Sequence, residues 1–224
     1  MINYNARILI ACEESQTVLK EFLKLGFKNV WSCDIMDTSG DYPERHLKRD
    51  VRELLKEKWD LIIGFPPCTH LAVSGARHFE KKREDGRQEE GIRLFMDILN
   101  ANCDKIVVEN PVNIISGKYI EKHYGALCKE LSLPIKPTQR IQPYQFGDNA
   151  QKLTCLWIKG LEPLKPTNIV DKGEFIEFDS GKRMPKWYSD AFKLSKEERA
   201  KVRSKTFKGI AKAIAEQFGK QLIK

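Results

Sequence analysis

The sequence has no apolar run of about 18 residues, so no segment is expected to span a bilayer. It does not open on a basic stretch followed by a long apolar one. The start "MINYNARILIACEES" therefore predicts retention in the cytoplasm rather than export. Six cysteines, at positions 12, 33, 68, 103, 128 and 155, form no CxxC pair, and there are only four histidines. That spacing argues against a zinc cage and predicts free thiols in a reducing compartment, with no metal bound. Neither an internal repeat nor a low-complexity tract is visible. The first strand-to-helix turn, "ACEESQ", contains no glycine.

What is present fits one globular domain, with or without a small lobe: 224 residues, 41% hydrophobic and 31% charged. The net charge of +8 is unevenly placed. Residues 159–224 hold 16 Lys+Arg against 9 Asp+Glu (+7), and the other 158 residues hold 23 against 22 (+1). A basic last third on a near-neutral body suggests contact with a polyanion, or a solvated lysine-rich surface.

Strands and helices alternate over the first 130 residues. "ARILIAC" reads as a buried strand. "SQTVLKEFLKLGF" reads as a helix with an apolar face at Val18, Leu19, Phe22, Leu23 and Leu25, Ser15 as its N-cap and Gly26 as its stop. "NVWSCDI" is a second strand, "RDVRELLKEK" a short helix, "WDLIIGFPP" a third strand, "EEGIRLFMDILNANC" a helix and "DKIVVENP" a fourth strand. This order predicts an α/β fold, a mostly parallel Rossmann-like sheet with helices on both faces. "KKREDGR" at 81–87 reads as a solvated mobile loop or as a functional one. "RIQPYQF" and "KLTCLWIKG" look extended. Residues 162–193 lack periodicity, and "SKEERAKVRSKTFKGIAKAIAEQFGKQLI" reads as helical, with Ser195 and Glu198 as a capping box and a core stripe of Phe207, Ile210, Ile214 and Phe218. The expected organisation is a catalytic and cofactor-binding body over 1–158, a short basic insert over 159–194, and a C-terminal helix over 195–224 packing back on the body.

In such sheets ligands bind beyond the carboxyl ends of the strands. Those ends carry Cys12-Glu13-Glu14-Ser15, Asp34, Pro66-Pro67-Cys68 and Glu109-Asn110, with Asp50 leading into a helix. An acid at the position of Asp34 either accepts ribose hydroxyls or caps a helix. Without a glycine-rich phosphate loop, a cofactor held through a pyrophosphate is disfavoured, and a phosphate-free nucleoside such as S-adenosylmethionine fits better. Cys68 reads as a packing residue, a metal ligand or a nucleophile.

Read together and in order, "GFPPCTHL", "VVENPVN" and "PTQRIQ" resemble the motifs of the DNA cytosine-C5 methyltransferases, in a compact form often encoded by bacteriophages. The similarity covers most of residues 7–158 and the last helix. It departs from the family at the first turn, at Thr69 where glutamine is usual, at the single arginine near "PTQRIQ", at the reduced closing motif "TFKGIA" and in the short segment between Arg140 and Ser195. The resemblance implies a methyltransferase of the Rossmann-like S-adenosylmethionine-dependent fold, monomeric and acting in a bacterial cytoplasm on double-stranded DNA with the target base flipped out. Its implied catalytic residues are Cys68 as nucleophile, Glu109 as acid, Asn110 as support for the Cys68 loop and Arg140 as contact to the base or its phosphate. For the cofactor it implies Ala11, Cys12, Glu13, Ser15 and Pro66, with Asp34, Ile35, Asp50 and Val51 at the ribose and adenine. For DNA, His70, Ser74 and Arg77 follow the nucleophile, and Lys182, Arg183, Lys186, Lys201, Arg203 and Lys205 lie in the basic third. Trp187 and Tyr188 are candidates to stack at the opened site. His70 is also a candidate to depress the Cys68 pKa, against the simpler reading that it satisfies a loop hydrogen bond. The departures keep two other readings open: a different cytosine substrate, in RNA or as a nucleotide, or a non-catalytic nucleic-acid-binding protein on the same scaffold.

Overall fold

Both faces of the first strand are apolar, as a strand covered on two sides requires. A computed structural model describes residues 1–223. In it Arg7–Ala11 forms β1, with Ile8 and Ile10 facing one side and Leu9 and Ala11 the other, all fully buried. The chain continues through α1 (Thr17–Lys24), β2 (Asn29–Asp34), β3 (His46–Lys48), α2 (Val51–Leu54), β4 (Leu61–Gly64), α3 (Phe79–Glu84), α4 (Arg87–Leu99) and β5 (Ile106–Pro111). It then forms α5 (Lys118–His123), α6 (Gly125–Leu131), β6 (Gln139–Ile141) and β7 (Thr154–Lys159). A hairpin, β8 (Phe175–Glu177) and β9 (Arg183–Pro185), precedes α7 (Lys186–Asp190), α8 (Lys196–Ser204) and α9 (Lys208–Gly219).

Seven strands make one sheet in the order β3-β2-β1-β4-β5-β7-β6. The first five are parallel, and β7 runs antiparallel to both β5 and β6. The expected α/β class with helices on both faces is thus observed. One face carries Leu9, Ile62, Val108 and Trp157 under α2, α4, α5 and α6. The other carries Ile8, Ile63, Val107 and Leu156 under α1 and α9. The order reverses between β1 and β4, so a crevice at the carboxyl ends of those strands is the natural ligand position. Gly64 closes β4 because a Cβ there would lie 2.6 Å from Ile98 Cγ2 of α4. No helix of the described residues is long and apolar enough to cross a membrane.

The structure differs from the sequence expectations in three segments. The C-terminal stretch is two helices rather than one. Ser195 and Glu198 do form the capping box of α8, but Lys205 and Phe207 are extended and break the run. Of the core stripe, Ile210, Ile214 and Phe218 are buried in α9 against α1, whereas α8 buries nothing. The break is enforced by close packing: a Cβ on Gly209 would sit 1.9 Å from the Phe146 carbonyl, and the Gly209 amide donates to Asp148 Oδ2 at 2.8 Å. "KKREDGR" is not a loop throughout, because residues 79–84 are helical and Lys82 is buried. Ser15 is not the cap of α1, for the reason given next.

Candidate active site

The turn after β1 is held by side chains. Cys12 and Gln16 both adopt left-handed backbone, with φ of 58° and 53°. The buried Glu13 carboxylate accepts the amides of Val18 at 2.6 Å and Leu19 at 3.3 Å, and so caps α1 from outside the helix. Ser15 instead shares a hydrogen bond with Thr17 Oγ1 at 2.9 Å. Gln16 is buried and clamps the 38–42 loop, donating to the Tyr42 carbonyl at 2.7 Å and accepting the Tyr42 amide at 2.9 Å. Ala11 is sealed in the core, and its carbonyl accepts the Phe65 amide. Glu13 and Ala11 therefore shape the turn.

Burial pushes the Glu13 carboxyl from 4.5 up to about 7, against the pull of the Val18 and Leu19 amides, with Glu14 adding to the rise. The folded chain keeps this proton to about pH 7, whereas the unfolded chain releases it near 4.5. Stability is therefore expected to fall as pH rises through that window, by about 3 kcal/mol from this group, and to be level above it. Glu13→Gln removes this slope. Urea unfolding at intervals between pH 4.5 and 7.5 reads it, and an unchanged slope in the variant refutes the assignment.

At the next strand ends, Asp34 accepts the Met36 amide at 3.0 Å, and burial raises its carboxyl. Ile35 is 74% exposed beside it. Asp50 caps α2 through the Arg52 amide at 2.9 Å. Val51 is core rather than rim. Cys12 sits within electrostatic reach of Asp34 and Asp50, and burial followed by Asp34 pushes its thiol up. Cys12, Asp34 and Asp50 thus share one corner of the rim, while Val51 supports it from below.

The turn after β4 carries Cys68. Buried Asn110, near the end of β5, donates to the Pro66 carbonyl at 2.8 Å and accepts from Asn113 Nδ2 at 3.0 Å. The Cys68 carbonyl accepts the amides of Leu71 and Ala72, and the buried Lys82 ammonium donates to the Thr69 carbonyl at 2.5 Å. Cys68 is half-buried. Burial and then Glu109 push its thiol up, while Lys152 and Arg203 pull it down. Glu109 is raised by burial and lowered by Lys152. The thiol and the carboxyl belong to adjacent strand ends, with Glu109, Lys152 and Arg203 within electrostatic reach of the sulfur.

His70 lies two residues past the thiol. Its Nδ1 is buried without a hydrogen-bond partner, and burial lowers its pKa. It lines a cavity of about 530 Å³ beside the Cys68 turn, together with Pro67, Asp85, Arg87, Glu90 and Leu94. Ser74 and Arg77 are exposed on the 73–78 stretch beyond it.

Arg140 is exposed on β6 and in register with Cys155, which is in register with Asn110. Burial raises the Cys155 thiol, and the nearby Arg140 guanidinium pulls it down. Alternation along β5 turns Glu109 to the opposite face from Asn110, so Arg140 and Glu109 occupy different faces of the sheet.

In the basic third, Lys182, Lys201 and Lys205 are exposed. Arg183 lies over Phe175 and 3.9 Å from Glu177, and Lys186 pairs with Glu174. Arg203 lies over Tyr188, at 4.5 Å from the ring centre. Trp187 is not free to wedge into a duplex: it donates to the Gln151 carbonyl at 3.1 Å and packs edge-on against Phe207 and Tyr188.

Sequence reasoning missed Lys152 at the thiol, Lys82 beneath it, and the cavity wall at Asp85, Arg87, Glu90 and Leu94. All lie outside the three segments that carry the family resemblance and are brought near Cys68 by tertiary packing. Comparison with protein-family models finds no match, and neither does comparison with curated proteins.

Proposed function

We propose that this protein transfers a methyl group from S-adenosylmethionine to C5 of cytosine in DNA, on a base turned out of the duplex. The observation that carries the reading is the pairing of Cys68, past β4, with Glu109, at the end of neighbouring β5, under the Asn110–Pro66 hydrogen bond. The sheet order, with β7 reversed between β5 and β6, is compatible with the methyltransferase type of Rossmann-like fold.

The residues at the crevice suit a phosphate-free nucleoside. The first turn offers no glycine cradle, and its polar groups are spent on one another. Asp34 supplies a carboxylate for ribose hydroxyls. Ile35 is an exposed apolar wall, and Pro67 and Leu94 line the adjoining cavity. When bound, the cofactor supplies an electrophilic methyl group on a sulfonium.

Cytosine C5 is a weak nucleophile. The Cys68 thiol first loses its proton to water, favoured by Lys152 and Arg203, and the thiolate forms a bond to C6. Glu109, whose pKa burial raises, gives its proton to N3, and C5 becomes enamine-like. Once C5 carries the methyl group, its proton leaves to a base, the C6–sulfur bond breaks, and the N3 proton returns to Glu109. The thiolate is regenerated. Turning the base out costs a few kcal/mol, offset by phosphate contacts from exposed Lys182, Lys201 and Lys205.

Incubation of cytosine-containing DNA and RNA with cofactor labelled in the methyl group, followed by nucleoside analysis, tests the reading. Label in 5-methylcytosine from DNA is the expected result. Label from RNA moves the substrate, and no label in either polymer overturns the proposal.

A further inference from the structure

We infer that Lys152 is the working cation of the Cys68–Glu109 pair: it holds the negative charge that gathers on the thiolate, and it contacts the oxygen of the base, where Arg140 was expected. The identity of the base rests on the cytosine reading, but the placement of the cation does not.

Lys152 lies two residues before β7, and Thr154, the first residue of β7, is in register with Pro111, the last of β5. Lys152 therefore stands just beyond the strand end that carries Glu109 and Asn110. Its position is fixed at both ends. The backbone amide donates to Gln142 Oε1 at 2.9 Å, and the ammonium donates to the Arg203 carbonyl at 3.0 Å. An ammonium has three donors, so two remain for a substrate oxygen. Arg140 is turned to the other face, in register with Cys155.

The charged groups facing the thiol come from four elements: Glu109 on β5, Lys152 ahead of β7, Arg203 on α8 and Lys82 on α3. Glu109 opposes thiolate formation, and the three cations favour it. Of these, Lys82 is occupied beneath the turn by the Thr69 carbonyl, and Arg203 lies over Tyr188. Lys152 also lies within reach of Glu109, so it alone acts on both members of the pair among the described residues.

The test is the rate of Cys68 alkylation by iodoacetamide against pH, read by mass spectrometry of the peptide containing Cys68. Lys152→Met is expected to move the profile to higher pH and to slow alkylation at pH 7 about three- to tenfold. Lys152→Gln keeps a donor for the Arg203 carbonyl but carries no charge, and should behave like Lys152→Met. Lys152→Arg should restore the profile. If Lys152→Gln alkylates as the unaltered protein does, the lysine is only an anchor for α8 and the inference is wrong. An unmoved profile in folded Lys152→Met has the same meaning. Because alkylation needs neither cofactor nor DNA, a failure of methyl transfer leaves this result standing. Where methyl transfer is observed, Lys152→Gln should lower kcat more than it raises KM for DNA.

Discussion

Cys68→Ala is expected to abolish methyl transfer, by about 10,000-fold or more, while leaving the fold and cofactor binding intact. The two effects separate because the thiol does not build the turn. The Cys68 carbonyl accepts the Leu71 and Ala72 amides, and the Pro66 carbonyl, two residues earlier, is held by Asn110. None of these bonds uses sulfur. In the proposed mechanism it is the sulfur that supplies the electron pair that activates C5. The measurement pairs label incorporation with the shift in Tm produced by S-adenosylmethionine, which mass action makes visible if the cofactor binds the folded chain. Turnover in Cys68→Ala would end the covalent mechanism. If the unaltered protein shows no Tm shift, the methyltransferase reading fails at the cofactor.

Glu109→Gln is expected to lower kcat by about 100- to 10,000-fold and to change the shape of the pH profile. The carboxyl acts in its protonated form. Burial raises its pKa, and Lys152 limits the rise. Activity should therefore decline as pH climbs through the raised pKa of Glu109. On the other side, activity should rise with pH as the Cys68 thiol ionises. The product of the two is a bell. Glutamine cannot give up a proton to N3, so the variant should lose the descending limb and keep the ascending one. A variant that kept both the rate and the descending limb would show that Glu109 is not the acid.

The sequence made the body of the fold legible where apolar residues were periodic. The run at 8–12 becomes β1, and the stripe of Ile210, Ile214 and Phe218 is buried as its spacing implies. Ser195 and Glu198 form the capping box that their three-residue separation suggests. Illegible features depended on partners distant in sequence. Edge strand β3 has three residues, too few to show a period. Lys82 reads as one of a run of surface charges, yet the Thr69 carbonyl thirteen residues earlier draws it inward. The break before α9 is set by the Phe146 carbonyl and Asp148, some 60 residues upstream of Gly209. Glu13 could not be distinguished from a ligand contact, because its two amide partners become accessible only when the turn at Cys12 and Gln16 adopts left-handed backbone. At the site, the strand-end rule placed Cys68, Glu109 and Asn110 on the rim, but it has no means of placing Lys152, which precedes its strand.

The reversed direction of β7 has an evolutionary corollary. Residues 142–153 leave β6 and enter β7 on the same side of the sheet as the reactive groups, so both feet of this turn are anchored by strand pairing. Insertions or deletions between those feet would remodel the wall over the substrate without shifting any parallel strand. Divergence in target preference among descendants of this chain should therefore accumulate in that turn, while the five parallel strands drift only within their packing constraints.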